Sequence, residues 1–296
     1  MPARFDVIMI VDWSASSAPA TGADSIWSYE LDTASAVPEP LHNHRTRARA
    51  IDHLAARLAH HHGRRVLVGF DFAFGYPAGF ARAAGLAGSA STVPAWQATW
   101  EHLTAALTDD DRNRNNRWDV AAELNERLGC HQFWGVPAAR ASRSLAATKP
   151  PAALLPATRT TERHIATQSG RRPFSVWQLL GAGAVGSQTL TGIPALQRLR
   201  TAPSLARRVR VWPFETGFTN DPCGAGDAIV LAEVWPSAIA VDQIEHPVKD
   251  ARQVVALTHH LATADRDGQL AGCFHPALPP DVGQAAIAEE GWILHR

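Results

Sequence analysis

The chain has 296 residues, 28 acidic and 28 basic side chains, and a hydrophobic fraction of 46%, which is typical of a folded globular protein. No apolar stretch approaches the roughly 18 residues of a membrane span, and the first apolar run is too short and too acidic for a signal peptide, so we expect a cytoplasmic protein with no membrane partner. The three cysteines, Cys130, Cys223 and Cys273, are far apart and predict neither a disulfide framework nor a thiolate zinc site.

The N-terminal part of the chain has the pattern of a β-hairpin followed by a helix and a third strand. An apolar run ends in Asp12, and after a turn rich in Ser, Ala, Pro and Gly the segment 26–31 alternates like a strand. Apolar residues at 48–58 then recur at helical spacing, and the next apolar run ends in Asp71. We therefore predict two central strands that each end in a carboxylate.

The middle of the chain is predicted to be a helical insertion. Segments 94–108 and 117–129 have helical patterns on either side of a polar loop. We predict a single domain over residues 1–296, in which residues 79–205 form a helical, Arg-rich insertion.

The charge of the central region is strongly asymmetric. Residues 140–210 contain twelve basic side chains and one acid, Glu162, which is an excess of eleven positive charges. This excess favours an anionic ligand over a merely solvated face. Within the segment, Arg159, Glu162 and Arg163 place opposite charges on adjacent helical turns. A helical ion pair and a clamp on a substrate are both open interpretations of this cluster.

The C-terminal part adds two strands and a helix. Segments 206–215 and 228–236 have strand patterns, and the second carries Glu233. A helical pattern starts at Lys249 and has Asp250 in its first turn. The order of elements predicts an α/β fold, with a mixed sheet and helices on its faces.

Four acids lie at predicted strand ends or in a first helical turn: Asp12, Asp71, Glu233 and Asp250. Loops converge where strands end, so these carboxylates are expected to meet at one edge of the sheet. Converging carboxylates repel each other unless protons or a cation neutralise them, and a divalent cation such as Mg²⁺ or Mn²⁺ is the simplest counter-charge. We predict that all four are catalytic residues and metal ligands.

A glycine motif at Gly181–Gly186 matches the GxGxxG pattern of dinucleotide-binding proteins. That site needs an uninterrupted helix after the motif and an acid about twenty positions on. Here Gly192 and Pro194 are expected to interrupt the helix, and residues 206–208 contain no acid. We predict no nicotinamide or flavin cofactor, and interpret the motif as a turn or a backbone cradle for another anion.

Five short segments, in the order VDWSAS, GFDFAFGYP, VWPFE, EVWPSAI and PVKDARQVVAL, resemble a known family. They are similar to predicted RNase H-like nucleases, in which two strands, an E-V-x-P strand end and the last helix supply acids. The resemblance implies an RNase H-like mixed sheet flanked by helices, with the same four acids in the site. Some relatives are labelled as acting in molybdopterin guanine dinucleotide synthesis, a role to which no residue here points.

We therefore expect a Mg²⁺- or Mn²⁺-dependent, nuclease-like hydrolase. Its partner would be nucleic acid or a phosphorylated small molecule. Besides the acids, Trp13, Ser14, Arg159, Glu162 and Arg163 are expected to contact the substrate. For Trp13 the alternative is that it fills the core at a strand end. Two alternatives stay open: an ATP-dependent phosphotransferase of the actin-like or sugar-kinase type, and a non-catalytic protein that binds nucleotides or other anions.

Overall fold

A computed structural model describes residues 5–35, 37, 39–88, 92–171, 173–181 and 184–295. Within these ranges the strands are β1 (Val7–Asp12), β2 (Ile26–Asp32), β3 (His42–His44), β4 (Val66–Phe70), β5 (Val209–Val211), β6 (Ile229–Val234) and β7 (Ile293–Leu294). The α-helices of the same ranges are α1 (Arg47–His60), α2 (Phe80–Ala83), α3 (Ala95–Ala106), α4 (Arg117–Leu128), α5 (Thr160–Ser169), α6 (Gly186–Thr201), α7 (Lys249–Arg266), α8 (Leu270–Phe274) and α9 (Pro280–Ala285). Short 3₁₀ turns lie at Ala138–Arg140 and Pro236–Ala238, and a π-helical turn lies at Ala286–Glu290.

The strands form one mixed sheet in the order β3-β2-β1-β4-β6-β5, and β7 pairs with the C-terminal end of β6. Strands β1, β2 and β3 pair antiparallel, whereas β1, β4, β6 and β5 run parallel to one another. Val11 of β1 lies opposite Phe70 of β4, so the next residues, Asp12 and Asp71, are at equivalent positions where these strands end. The predicted α/β class with a mixed sheet is confirmed.

Both faces of the sheet are buried, which explains why its central strands are continuously apolar. Side chains of β1 alternate between two cores, with Met9 and Val11 in one and Ile8 and Ile10 in the other. Helices α1, α3, α4 and α6 cover the first face, and α7 and α8 cover the second. No helix in the described part of the chain is long and apolar enough to cross a membrane.

The helix after the glycine motif differs from the prediction. Helix α6 is continuous from Gly186 to Thr201 and contains Pro194, so the expected interruption is wrong. Gly192 has a packing role, since a Cβ atom there would lie 2.3 Å from the ring of Phe72. Within the motif, residues 182 and 183 lie outside the described residues, so its interpretation as an anion cradle stays a prediction.

Candidate functional site

Two carboxyl groups lie side by side where the central strands β1 and β4 end. The backbone N–H of Trp13 donates to Oδ1 of Asp71 at 2.7 Å, which fixes that carboxyl against the end of β1. Burial raises the pKa of Asp12 well above its usual range, and the adjacent Asp71 raises it further through its charge and a side-chain hydrogen bond. Burial also raises the pKa of Asp71, although the bonds from Asp12 and Trp13 partly oppose this effect. The pair therefore favours a shared proton or a bound cation over two free negative charges.

Two further acids surround this pair. Asp250 in the first turn of α7 accepts a hydrogen bond at Oδ2 from the backbone N–H of Asp24, at 3.0 Å. Asp24 adopts a left-handed backbone conformation, and its carbonyl oxygen accepts a 2.8 Å bond from the hydroxyl of Ser14. The negative charges of Asp250 and Asp24 both contribute to the raised pKa of Asp12. The end of β1, the turn before β2 and the start of α7 thus form one acidic wall.

The acidic wall borders a cavity of about 640 Å³. Asp12, Ser14, Asp24 and Asp250 line it on the strand-end side. The remaining wall includes Arg117 and residues around the first turn of α6. A cavity of this volume is typical of small-molecule sites.

Trp13 reaches this cavity without offering its ring as a stacking surface. The residue is only 1% exposed, and its indole packs against Phe70 and Phe72 in the core. The indole N–H donates to the hydroxyl of Thr191, and the Trp13 carbonyl accepts a 2.6 Å bond from Gln188. The structure therefore assigns Trp13 to packing and to positioning Asp71, and not to stacking on a base.

Glu233 does not join the acidic pair. Arg159 donates from Nη1 to Oε2 of Glu233 at 2.8 Å and from Nη2 to Oε1 at 2.5 Å, so both carboxylate oxygens are engaged. In the sheet Glu233 lies opposite Phe70, the residue before Asp71. Because successive side chains of a strand point to opposite faces, the Glu233 side chain lies on the face of the sheet opposite to that of Asp71. Its assignment as a shared metal ligand is therefore corrected to a buried structural partner.

The other predicted substrate contacts in the basic segment, Arg159, Glu162 and Arg163, do not line the cavity. Arg159 is 1% exposed, and its Nε bonds to Oε1 of Glu162 at 2.9 Å, while Oε2 of Glu162 accepts from the Arg159 backbone N–H at 2.6 Å. Arg163 is exposed and donates to the carbonyl of Thr158. Of the two interpretations of this cluster, the structure shows the ion pair. No described basic residue between 140 and 210 lines the cavity.

The four-acid metal centre predicted from the sequence is not formed. In the described part of the chain, no group of three or more His, Cys, Asp or Glu side chains is arranged to hold a metal ion. A smaller site fits the residues present, because Mg²⁺ is usually held by one or two carboxylates and completes its shell with water and substrate phosphate. Asp12 and Asp71 supply two adjacent carboxyls, and neither has a cationic partner among the described ion pairs.

Sequence reasoning missed three residues of the cavity wall: Asp24, Arg117 and Gln188. Asp24 lies within a turn whose composition gives no sign of a site. Arg117 follows a polar loop and lies outside residues 140–210, the basic segment in which an anion site was predicted. Their convergence depends on how the β1–β2 connection, α4 and α6 pack together, which local patterns do not encode.

Comparison with family models, with curated proteins and with solved structures found no match to this chain.

Proposed function

We propose that the protein is a Mg²⁺- or Mn²⁺-dependent hydrolase of phosphorylated small molecules. The observation that carries the proposal is the pair of adjacent carboxyls of Asp12 and Asp71, of which Asp12 lines the cavity of about 640 Å³ and Asp71 lies directly behind it. Burial raises the pKa of both groups. Pairs of carboxylates that lack a counter-charge are a common basis for binding a divalent cation. Adjacent parallel strands that each end in an Asp also support the RNase H-like assignment implied by the sequence resemblance.

In this proposal Asp12 and Asp71 hold the cation, which when bound would polarise the phosphoryl group and activate water. The N–H of Trp13 keeps the Asp71 carboxyl in place, so that its position does not depend on the ligand. Asp250 is held through Oδ2 by the backbone N–H of Asp24, and in this proposal its other oxygen would accept a proton from the attacking water. The departing oxygen would take up a proton from solvent in the open cavity.

The proposal is tested by measuring phosphate release from nucleoside monophosphates, sugar phosphates and short oligonucleotides, with Mg²⁺, Mn²⁺ or a chelator. Wild type should release phosphate from a small ester only with metal, and Asp12→Asn should abolish release. Asp52→Asn is the matched control, because Asp52 is an exposed carboxylate on α1 outside the cavity. Equal activity of Asp12→Asn and wild type, or metal-dependent transfer of phosphate from ATP without hydrolysis of any ester, would contradict the proposal.

A further inference from the structure

Arg117, the first residue of α4, is a buried cation without an acidic partner. It is 7% exposed, and its guanidinium stacks 4.0 Å from the ring centre of Trp118. Nε donates to the hydroxyl of Ser187 at 3.1 Å, and Nη1 donates to Ser17 at 2.7 Å and to Asn115 at 2.8 Å. Among the described residues no carboxylate forms an ion pair with Arg117, and none accepts a hydrogen bond from Nη2. Nη2 is not one of the fully buried atoms that lack a partner, so it is the nitrogen open to the cavity. A buried charge in this state is costly unless an anion accompanies it.

The surroundings of Arg117 do not provide that anion. Burial, together with the nearby charge of Arg47, lowers the pKa of Arg117 to about 10, and the negative charge of Asp109 opposes this shift only in part, so the group remains protonated at neutral pH. Arg47 is already neutralised by Asp109, which accepts bonds from its Nε and Nη2 at 2.5 and 2.6 Å. Asp109 is thereby committed to another arginine. Arg117 therefore has no carboxylate of its own among the described ion pairs, and it lines the cavity.

The first turn of α6 lines the same cavity and also favours an anion. This helix has 16 residues, its N-cap Val185 makes no side-chain capping bond, and its first turn contains no acid. The positive end of the helix dipole is therefore not neutralised by a side chain of the helix itself. Ser187, in this first turn, bonds directly to Nε of Arg117, so the two features are adjacent.

We propose that Arg117 and the first turn of α6 bind the phosphate group of the ligand. The subsite lies in the cavity that Asp12 and Asp250 border, so an anion held there faces the acidic wall. A phosphate ester fits between the basic and the acidic wall of the cavity. Its oxygens neutralise Arg117 and can also complete the coordination shell of a cation bound at Asp12 and Asp71. The cavity volume of about 640 Å³ matches a small phosphate ester, such as a sugar phosphate or a nucleoside monophosphate. This choice of substrate class rests on the proposed function, whereas phosphate binding itself does not.

Isothermal titration with inorganic phosphate tests the subsite without requiring catalysis. Arg117→Gln removes the unpaired charge and should weaken phosphate binding by about tenfold or more, because charge-assisted bonds to phosphate are lost. Val185→Asp should weaken binding similarly by placing a carboxylate at the N-terminus of α6, and it should not destabilise the helix, since the helix dipole favours a negative charge at this end. Arg114→Gln is the matched control, because Arg114 lies just before α4, is exposed and pairs with Asp110.

The outcomes separate this proposal from the proposed function. If Asp12→Asn binds phosphate but lacks hydrolysis, both proposals stand. If wild type binds phosphate and both cavity variants weaken it, but no ester is hydrolysed, the subsite stands and the hydrolase proposal fails. The subsite is refuted if wild type does not bind phosphate, or if folded Arg117→Gln and Val185→Asp proteins bind it as tightly as Arg114→Gln. Tighter binding of a sugar phosphate or of a nucleoside monophosphate than of phosphate would identify which ester the cavity accepts, and preference for an oligonucleotide over both would overturn the substrate class.

Discussion

Replacing Glu233 with glutamine is expected to destabilise the fold by about 3 kcal/mol, the lower end of the usual cost of breaking a buried ion pair. Glu233 is 4% exposed and accepts bonds of 2.8 and 2.5 Å from the guanidinium of Arg159. It also accepts a weaker bond of 3.2 Å from the backbone N–H of Phe74. Glutamine keeps one acceptor but removes the charge, and Glu162 remains as a partner for Arg159, which is why the lower value applies.

The change can be measured by urea unfolding followed through tryptophan fluorescence. Glu123→Gln provides the matched control, because Glu123 pairs with Arg127 on the exposed surface of α4, where an ion pair contributes about 0.5 kcal/mol or less. Asp12→Asn should be as stable as wild type or more so, because the substitution relieves repulsion from Asp71. An unchanged unfolding midpoint for Glu233→Gln would refute a structural role for Glu233. A large loss of stability for Asp12→Asn would refute the interpretation of Asp12 as a residue of the site.

Two further predictions concern packing and pH. Gly192→Ala should lower the free energy of unfolding in urea by about 1–3 kcal/mol, because the added methyl group overpacks against Phe72 despite the better helix propensity of alanine. The control is Gly272→Ala in α8, where the methyl group meets no neighbour within 4 Å and should not lower the free energy of unfolding. Burial and two neighbouring histidines lower the pKa of His44 to about 4, so its neutral ring stabilises the fold fully above about pH 6.5 and loses that effect as the pH falls toward 4. In urea unfolding between pH 6.5 and 4, the free energy of unfolding should fall less steeply for His44→Gln than for wild type or for the exposed control His62→Gln. Equal slopes for the three proteins would contradict the lowered pKa of His44.

The central strands and their terminal acids were predictable because each is a local pattern. An apolar run bounded by a carboxylate marks both β1 with Asp12 and β4 with Asp71, and parallel pairing brings the two acids together. Glu233 has the same local pattern, yet its register with Phe70 turns it to the other face. A one-residue difference in register cannot be read from an apolar run, so the same rule succeeded for two acids and failed for the third.

The opposite wall of the cavity was not predictable for a related reason. Arg117 is an ordinary arginine at the start of a helix, and only its burial against Ser17 and Ser187 shows that it lacks a counter-charge. The excess of arginines between residues 140 and 210 predicted an anion site in that segment, and none of its described basic residues lines the cavity. Arg159 serves a buried ion pair, and Arg208 bonds to Asp227 and to backbone carbonyls. Charge composition identified where arginines are abundant, but not which one lines the cavity.

An anomalous difference map from crystals soaked with Mn²⁺ and inorganic phosphate would show directly whether the acidic pair binds metal. We expect a manganese peak between the carboxyl groups of Asp12 and Asp71, with phosphate between that peak and Arg117. The manganese peak should disappear in crystals of Asp71→Asn. Manganese bound only at other carboxylates, with the Asp12–Asp71 pair free of metal at saturating Mn²⁺, would rule out this pair as the metal site.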